Sequence, residues 1–303
     1  MEIASRRLVK PVYKRQQFLL SFLKGLNEPL TTIEFQKLLF LYLTQNSLPY
    51  YDFVPYLYGG FSIQAGEDIS TLQAMGWLTY TSEKIRYAGG ESSAGTNLPF
   101  EELGDSILAQ LPKVRGDQLV KLVYKQYPYY AINSRTVTSI MNTEGIARIR
   151  AVKEQLRQTK QTLFTIGYEG VSVENYLNNL IKNDVRLLCD VRNNPLSRKL
   201  GFSKNNLQKY LRNVGIEYVH LPELGISSEK RNNLSSDEDY QNLFKDYKLS
   251  LSKRQEYLNR LHQLLQTKSR IALTCFENNP SHCHRHVIRD YLKENYNVNT
   301  MDL

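Results

Sequence analysis

The chain has few cysteines and no long apolar segment, and both deficits restrict the kind of protein it can be. Three Cys in 303 residues do not form the disulfide framework of a small secreted protein. Residues 1–10 are polar, and no run approaches the ~20 apolar residues that span a bilayer. We therefore expect a cytoplasmic protein with no signal peptide and no membrane span.

Acidic residues are outnumbered by basic ones. The chain has 39 Lys+Arg against 30 Asp+Glu, a net charge of +9, and it contains 21 Tyr and 11 Phe. Cations hold phosphates and aromatic rings stack on bases, so this composition is compatible with nucleic-acid binding. We expect double-stranded, modified DNA as the partner, while nothing in the sequence indicates the oligomeric state.

The first half of the chain predicts helices followed by a short pair of strands. Apolar spacing indicates helices in QQFLLSFLKGL, IEFQKLLFLYLTQN and IQAGEDISTLQAMGW, and strands near Leu78–Arg86. A Gly- and Ser-rich loop at residues 91–98 and a further helix at residues 104–125 follow. This order is typical of a winged-helix-like module, and we expect residues 1–160 to form a nucleic-acid-binding or regulatory domain.

Three segments of this half, FQKLLFLYL, FVPYLYGGFS and EDISTLQAMGWL, resemble the Panacea or SocA-like antitoxin domain over about residues 14–90. Gly60 stands where that family has Pro. The resemblance implies a regulatory domain of a bacterial conflict system.

The second half alternates β-rich apolar runs with helical segments. The runs are TLFTIG, VRLLCDV, IEYVHL and IALTC. This alternation predicts parallel strands with right-handed helical crossovers. We expect residues 161–303 to form a three-layer α/β domain that carries the site.

Polar residues follow each of these four strands. Because the carboxyl ends of parallel strands meet at one edge of a sheet, the polar residues should converge there. The loop after the second strand contains Arg192, Ser197, Arg198 and Lys199, which suit an anion such as a backbone phosphate. A solvated loop ended by Pro195 is the alternative.

Four ordered motifs, TIGYEG, CDVRNNPLSRKLGFS, HLPELG and CFENNPSHCHRHVI, resemble the family called domain of unknown function 488 over about residues 162–295. The resemblance implies no reaction. It implies an α/β domain with a polar rim formed by Tyr168, Glu169, Asp190, Arg192, Ser197, Arg198, Phe202, Glu223, Cys275, Glu277, Cys283, His284 and Arg285.

One chemistry that fits these residues is excision of a modified base by a DNA glycosylase in defence against phage. Asp190 or Glu277 would be the catalytic carboxylate that stabilises an oxocarbenium-like sugar. The expected DNA contacts are Tyr168, Glu169, Arg192, Ser197, Arg198, Lys199, Phe202, Asn278, Cys283, His284 and Arg285. A hydroxylated or glucosylated base would find donors in Asn193, Asn194, Asn278, Asn279, His282 and His284.

Two other classes of function remain open. Cys283, at the start of a helix beside His284 and Arg285, could be the nucleophile of a sulfurtransferase-like enzyme. Without catalysis, the same rim would make a sensor of unusual nucleic acid. Zinc could bind Cys275, Cys283, His284 and His286, but the paired spacing of zinc fingers is missing, so we expect no metal and no cofactor.

Overall fold

The computed structural model describes residues 11–89, 109–231 and 236–303, and the chain divides into two compact units, Met1–Val152 and Lys153–Leu303. The loop expected at residues 91–98 and the first residues of the helix expected at 104–125 lie outside the described residues. The structure places a helix at Gly116–Gln126. Within the described ranges, no helix combines the length and the hydrophobicity needed to cross a membrane.

The N-terminal unit is mainly helical and contains a small antiparallel sheet. Its elements are α1 (Lys14–Leu26), β1 (Leu30–Thr31), α2 (Thr32–Gln45), β2 (Val54–Tyr56), β3 (Gly59–Phe61), α3 (Ile63–Ala74), β4 (Leu78–Thr81), β5 (Lys84–Tyr87), α4 (Gly116–Gln126), α5 (Val137–Ile140) and α6 (Thr143–Gln155). Helix α2 begins at a reciprocal cap, in which Thr31 Oγ1 accepts from Glu34 N and Glu34 Oε2 accepts from Thr31 N. The sheet has the order β1-β5-β4, and the β2–β3 hairpin lies between α2 and α3. The expected mainly helical character of this region is confirmed, while its winged-helix-like character stays a prediction.

A lysine is buried in this unit. Lys37 on α2 is 1% exposed, and its Nζ donates to Gly60 O at 3.0 Å. Burial lowers the pKa of Lys37 to about 7, because desolvation disfavours the charged ammonium. The amine therefore loses its proton near neutral pH in the folded protein, far below the pH at which it does so in the unfolded chain.

The C-terminal unit is an α/β domain around a parallel sheet. Its elements are β6 (Thr162–Gly167), α7 (Val173–Lys182), β7 (Leu187–Asp190), α8 (Lys204–Asn213), β8 (Glu217–His220), α9 (Asp237–Ser250), α10 (Gln255–Lys268), β9 (Arg270–Cys275), α11 (Arg285–Tyr296) and β10 (Thr300–Asp302). Short 3₁₀ turns occupy Pro222–Leu224, Ser228–Arg231, Leu251–Arg254 and Pro280–His282.

Within the described residues the sheet has five strands in the order β10-β6-β9-β7-β8, all parallel. On one face Leu163, Cys189 and Leu273 pack in a single apolar cluster with residues of α9, α10 and α11. On the other face Tyr176 of α7 donates to Thr274 Oγ1 at 2.7 Å. The expected α/β architecture is confirmed, and β10 is a strand that the sequence did not predict.

The buried lysine predicts a pH dependence of stability. Between pH 7 and 10.5 the unfolded chain keeps the Lys37 proton while the folded protein has lost it, so stability should rise with pH by at most about 1.4 kcal/mol per unit. Lys37→Met should remove this slope, measured by denaturation followed through the fluorescence of Trp77, the single tryptophan of the chain.

The exposed Lys121 of α4 provides the matched control, because Lys121→Met should leave the slope between pH 7 and 10.5 unchanged. Parallel pH profiles for the wild type and Lys37→Met would show that this lysine is not the titrating group.

Candidate functional site

A buried ion pair lies at the carboxyl end of β7. Asp190, 0% exposed, ends the strand, and Arg192, 5% exposed, follows two residues later. Arg192 donates from Nε to Asp190 Oδ1 at 2.8 Å and from Nη2 to Oδ2 at 2.5 Å, and Tyr218 OH on β8 donates to Oδ2 at 2.8 Å. Burial alone would lower the pKa of the Arg192 guanidinium, but its hydrogen bonds to Asp190 raise it above the usual value.

The same guanidinium connects β7 to the end of β6. Arg192 Nη1 donates to Tyr168 OH at 2.9 Å and to Phe202 O at 2.8 Å. The rings of Tyr168 and Phe202 are stacked with centroids 4.2 Å apart, and Tyr176 meets Phe202 edge-on at 5.1 Å. Two strand ends and the loop after β7 are therefore joined through one side chain.

The loop of residues 191–203, here called the arginine loop, is closed by its own hydrogen bonds. Ser203 Oγ donates to Ser197 O at 2.8 Å, and Lys204 N donates to Pro195 O at 3.0 Å. Lys199 Nζ donates to Tyr168 O at 2.6 Å, and burial lowers the pKa of Lys199. These bonds fix the backbone of the loop, while Arg198 remains exposed.

A cavity of about 300 Å³ lies beside this loop. It is lined by Tyr168, Arg192, Asn193, Asn194, Leu196, Ser197, Arg198, Ile226, Cys275 and Phe276. The lining contains two arginines, and among these residues there is no carboxylate. The chemistry of the lining thus favours an anionic or polar ligand with an apolar part.

Comparison with known proteins places this region in a family. Residues 172–292 match the model of the family described as Domain of unknown function DUF488. This part of the C-terminal unit, here called the DUF488 domain, is therefore similar to that family. The resemblance that three of the four motifs indicated is confirmed, while TIGYEG lies just before the matched residues. No curated protein and no solved structure matches the chain.

The C-terminal unit brings the first and last of the four motifs together at a glycine, Gly167. A Cβ on Gly167 would lie 2.0 Å from Glu277 O, so only glycine lets the loop after β9 cross so closely. Phe276 O accepts from Tyr168 N at 3.0 Å and from Glu169 N at 2.9 Å. Gly167, the first of the two glycines of TIGYEG, is therefore required by packing.

Arg285 holds the same loop through hydrogen bonds from its guanidinium. It is 0% exposed at the start of α11, where its guanidinium donates to Glu277 O and, at 2.8 Å, to Asn278 O. Its Nε also donates to Thr165 Oγ1 at 3.2 Å. Arg285 is not among the residues that line the cavity, and its bonds give it a structural task in this loop.

A buried group of two thiols and an imidazole lies between β9 and α11 of the DUF488 domain. Cys275 Sγ and Cys283 Sγ are each 3.8 Å from His284 Nδ1, and the three residues are 0–1% exposed. Burial raises the pKa of the Cys283 thiol well above its usual value, and Cys275 adds to this effect. Cys275 lines the cavity and Cys283 does not.

The structure distributes the residues predicted from sequence over three positions. Tyr168, Arg192, Ser197 and Arg198 line the cavity. The second set is buried and does not line the cavity, namely Asp190, Phe202, Cys283, His284 and Arg285. The third set is outside the cavity lining on surrounding loops, with Lys199 and Glu277 partly exposed and Glu169 and Asn278 exposed.

Sequence reasoning missed two residues with clear positions at the site. Leu196, 75% exposed, and Phe276, 43% exposed, both line the cavity. The available signal was an apolar residue in a loop that is mostly polar. Tyr218, which bonds Asp190, was also missed, because an aromatic residue in a strand is ordinarily interpreted as packing.

The ion pair predicts a large and asymmetric cost of mutation. Asp190→Ala leaves the Arg192 charge buried without its counter-ion, and we expect the free energy of unfolding to fall by about 3–5 kcal/mol. Denaturation followed by circular dichroism measures this change. The double variant Asp190→Ala/Arg192→Met should lose less than the sum of the two single variants.

Glu154→Ala is the matched control, because Glu154 pairs with Arg157 while both side chains are more than 60% exposed. That variant should lose less than about 1 kcal/mol. Equal losses for Asp190→Ala and Glu154→Ala would contradict the structural role of the buried pair.

Proposed function

We propose that the DUF488 domain takes up an extruded nucleotide of DNA in the cavity beside the arginine loop and excises a modified base from it. The observation that carries this proposal is the pair of exposed apolar side chains, Leu196 and Phe276, at a cavity that Arg198 also lines. Proteins that open a duplex commonly insert such apolar wedges between base steps, with arginines beside them.

Exposed apolar side chains of this kind need a reason. Leu196 is 75% exposed in a loop whose backbone is otherwise fixed by hydrogen bonds. A leucine held out in water on a rigid loop gains nothing for folding, whereas insertion into a base stack would bury it. The space left by an extruded base is a suitable place for such a side chain.

Arg198 is the cation best suited to a phosphate. Its side chain is exposed and, among the described residues, it has no hydrogen bond or ion pair. Arg192 instead uses four guanidinium N–H groups on Asp190, Tyr168 and Phe202. Arg198 would therefore contact the DNA backbone. Arg192 would orient Tyr168, whose ring lines the cavity in which the base would bind.

The two cavities of this region suit a substituted base. The first, about 300 Å³, is at the small end of ligand pockets, as one nucleotide-sized group requires. A second cavity of about 450 Å³ shares Asn193 and Ile226 with the first and is also lined by Glu223, Lys230 and Asp246. A sugar or hydroxymethyl substituent would find polar partners there, which normal bases would not use.

The carboxylates of Asp190 and Glu277 have different roles in this proposal. Both oxygens of Asp190 accept hydrogen bonds from Arg192 and Tyr218, so Asp190 is a positioning residue. Glu277 follows Phe276 directly and would stabilise the oxocarbenium-like sugar and align water. Removal of a modified base from phage DNA would leave the host's unmodified genome intact, which is the selectivity that such an enzyme needs.

The phosphate contact can be tested by salt dependence. Arg198→Ala should weaken binding to DNA and lower the slope of log affinity against log salt concentration by about one, measured by fluorescence anisotropy. Arg212→Ala removes another exposed charge, on α8 and outside the cavity lining, and should leave the slope closer to that of the wild type. Equal slopes for the two variants would show that Arg198 does not contact a phosphate of the DNA backbone.

The reaction can be tested on duplexes that contain cytosine, hydroxymethylcytosine or glucosylated hydroxymethylcytosine. We expect abasic sites and released base from a modified duplex only. Glu277→Gln should abolish turnover and keep DNA binding, because the lost interaction is made in the transition state; Leu196→Ala should reduce turnover by about tenfold or more. Equal activity on all duplexes would contradict the selectivity, and inactivity on all would favour a non-catalytic sensor.

A cysteine-dependent reaction is a second candidate, and one observation favours it. Cys275 lines the cavity, and its Sγ lies 3.8 Å from His284 Nδ1, an arrangement in which imidazole could activate a thiol. The two candidate functions predict that different residues are needed for turnover, Glu277 for base excision and Cys275 for thiol chemistry. Loss of turnover in Cys275→Ser with full activity in Glu277→Gln would replace base excision by thiol chemistry.

A further inference from the structure

Three metal-ligating side chains meet in the interior of the C-terminal unit. Sγ of Cys275, Sγ of Cys283 and a ring nitrogen of His284 lie within 4.8 Å of one another, and all three residues are buried. Cys275 ends β9, while Cys283 and His284 directly precede α11. A strand end and a helix start thus contribute soft donors to one point.

The orientation of the imidazole selects the atom that would bind a metal. His284 Nε2 lies 3.0 Å from Val191 O, and a carbonyl only accepts, so Nε2 carries the proton. Nδ1 then keeps its lone pair, and this is the nitrogen that faces both sulfurs at 3.8 Å. Metal-ligating histidines commonly have this arrangement, with the second ring N–H donated to a backbone carbonyl.

The two sulfur-to-nitrogen distances fit an ion of the zinc class. Zinc binds thiolate sulfur at about 2.3 Å and imidazole nitrogen at about 2.0–2.1 Å, so a tetrahedral site places sulfur and nitrogen roughly 3.6 Å apart. The observed separations of 3.8 Å need changes of only a few tenths of an ångström. Without an ion, the one lone pair of Nδ1 accepts one S–H hydrogen bond well, but two sulfurs lie beside it. A metal ion would bind both sulfurs and the nitrogen.

We infer that Cys275, Cys283 and His284 bind a zinc-class metal ion through two thiolates and one imidazole. The sequence did not predict this site, because the ligands lack finger spacing: seven residues separate the cysteines and the histidine is adjacent to the second one. Three protein ligands leave one position for water or a neighbouring group. The bound ion would fasten the loop that carries Phe276 and Glu277 to the core.

This inference does not rest on base excision, and its test has a readout of its own. The untagged 303-residue chain, expressed with zinc and purified under reducing conditions without chelator, should contain about one equivalent of zinc by mass spectrometry. Replacement by cobalt should give the thiolate-to-metal charge-transfer absorption. Cys283→Ala and His284→Ala should each lose most of the metal.

The third cysteine provides the control. Cys189 is 0% exposed and belongs to the apolar cluster of the sheet, so Cys189→Ala tests a buried thiol outside the site and should keep the zinc. If Cys283→Ala and His284→Ala fail to fold, the cobalt absorption and the zinc content of the wild type still test whether the site binds a metal ion. A reduced wild type without zinc and without the cobalt band, or with Cys275 and Cys283 joined as a disulfide, would overturn the inference.

Discussion

The buried pair of Asp190 and Arg192 is the interaction on which the carboxyl edge of the sheet depends. Removing two charges from water is expensive, and such pairs are retained where their geometry organises other groups. Here the carboxylate also accepts from Tyr218 of β8, and the guanidinium donates to Tyr168 and Phe202. One ion pair thus fixes residues of β7 and β8, the residue that follows β6, and the arginine loop in relation to one another.

This arrangement separates the groups that give the site its shape from those that face a ligand. Asp190, Phe202 and Arg285 are buried and fully engaged, so their contribution is to hold backbone and neighbouring rings. Arg198 and Leu196 lie on the arginine loop, which is held through Asp190 and Phe202, whereas Arg285 holds the loop after β9. A loop whose backbone is already fixed, with side chains such as Arg198 and Leu196 exposed on it, lowers the entropic cost of binding, because little has to be ordered when the ligand binds.

The sequence was informative wherever a local pattern determined the structure. Strands such as Thr162–Gly167 and Arg270–Cys275 are buried along their whole length and mostly apolar, and the polar residues after them converge as expected for parallel strands. β10 was missed because Thr300–Asp302 is short and polar and is defined only by its pairing with β6. The partners of Asp190 and Arg285 were also beyond prediction, since burial decides whether a charged residue in a loop faces solvent or the interior.

The position of β9 has a consequence for how this domain is made. β9 lies between β6 and β7 in the sheet, although it follows both in the chain, and Arg270 pairs with a strand that begins 108 residues earlier. β6 and β7 have no pairing with each other within the described sheet, so on the ribosome the centre of the sheet has to wait for the synthesis of β9. High contact order of this kind slows folding and leaves strand edges exposed meanwhile. A nascent chain that pauses before residue 270 would therefore be a natural substrate for chaperones.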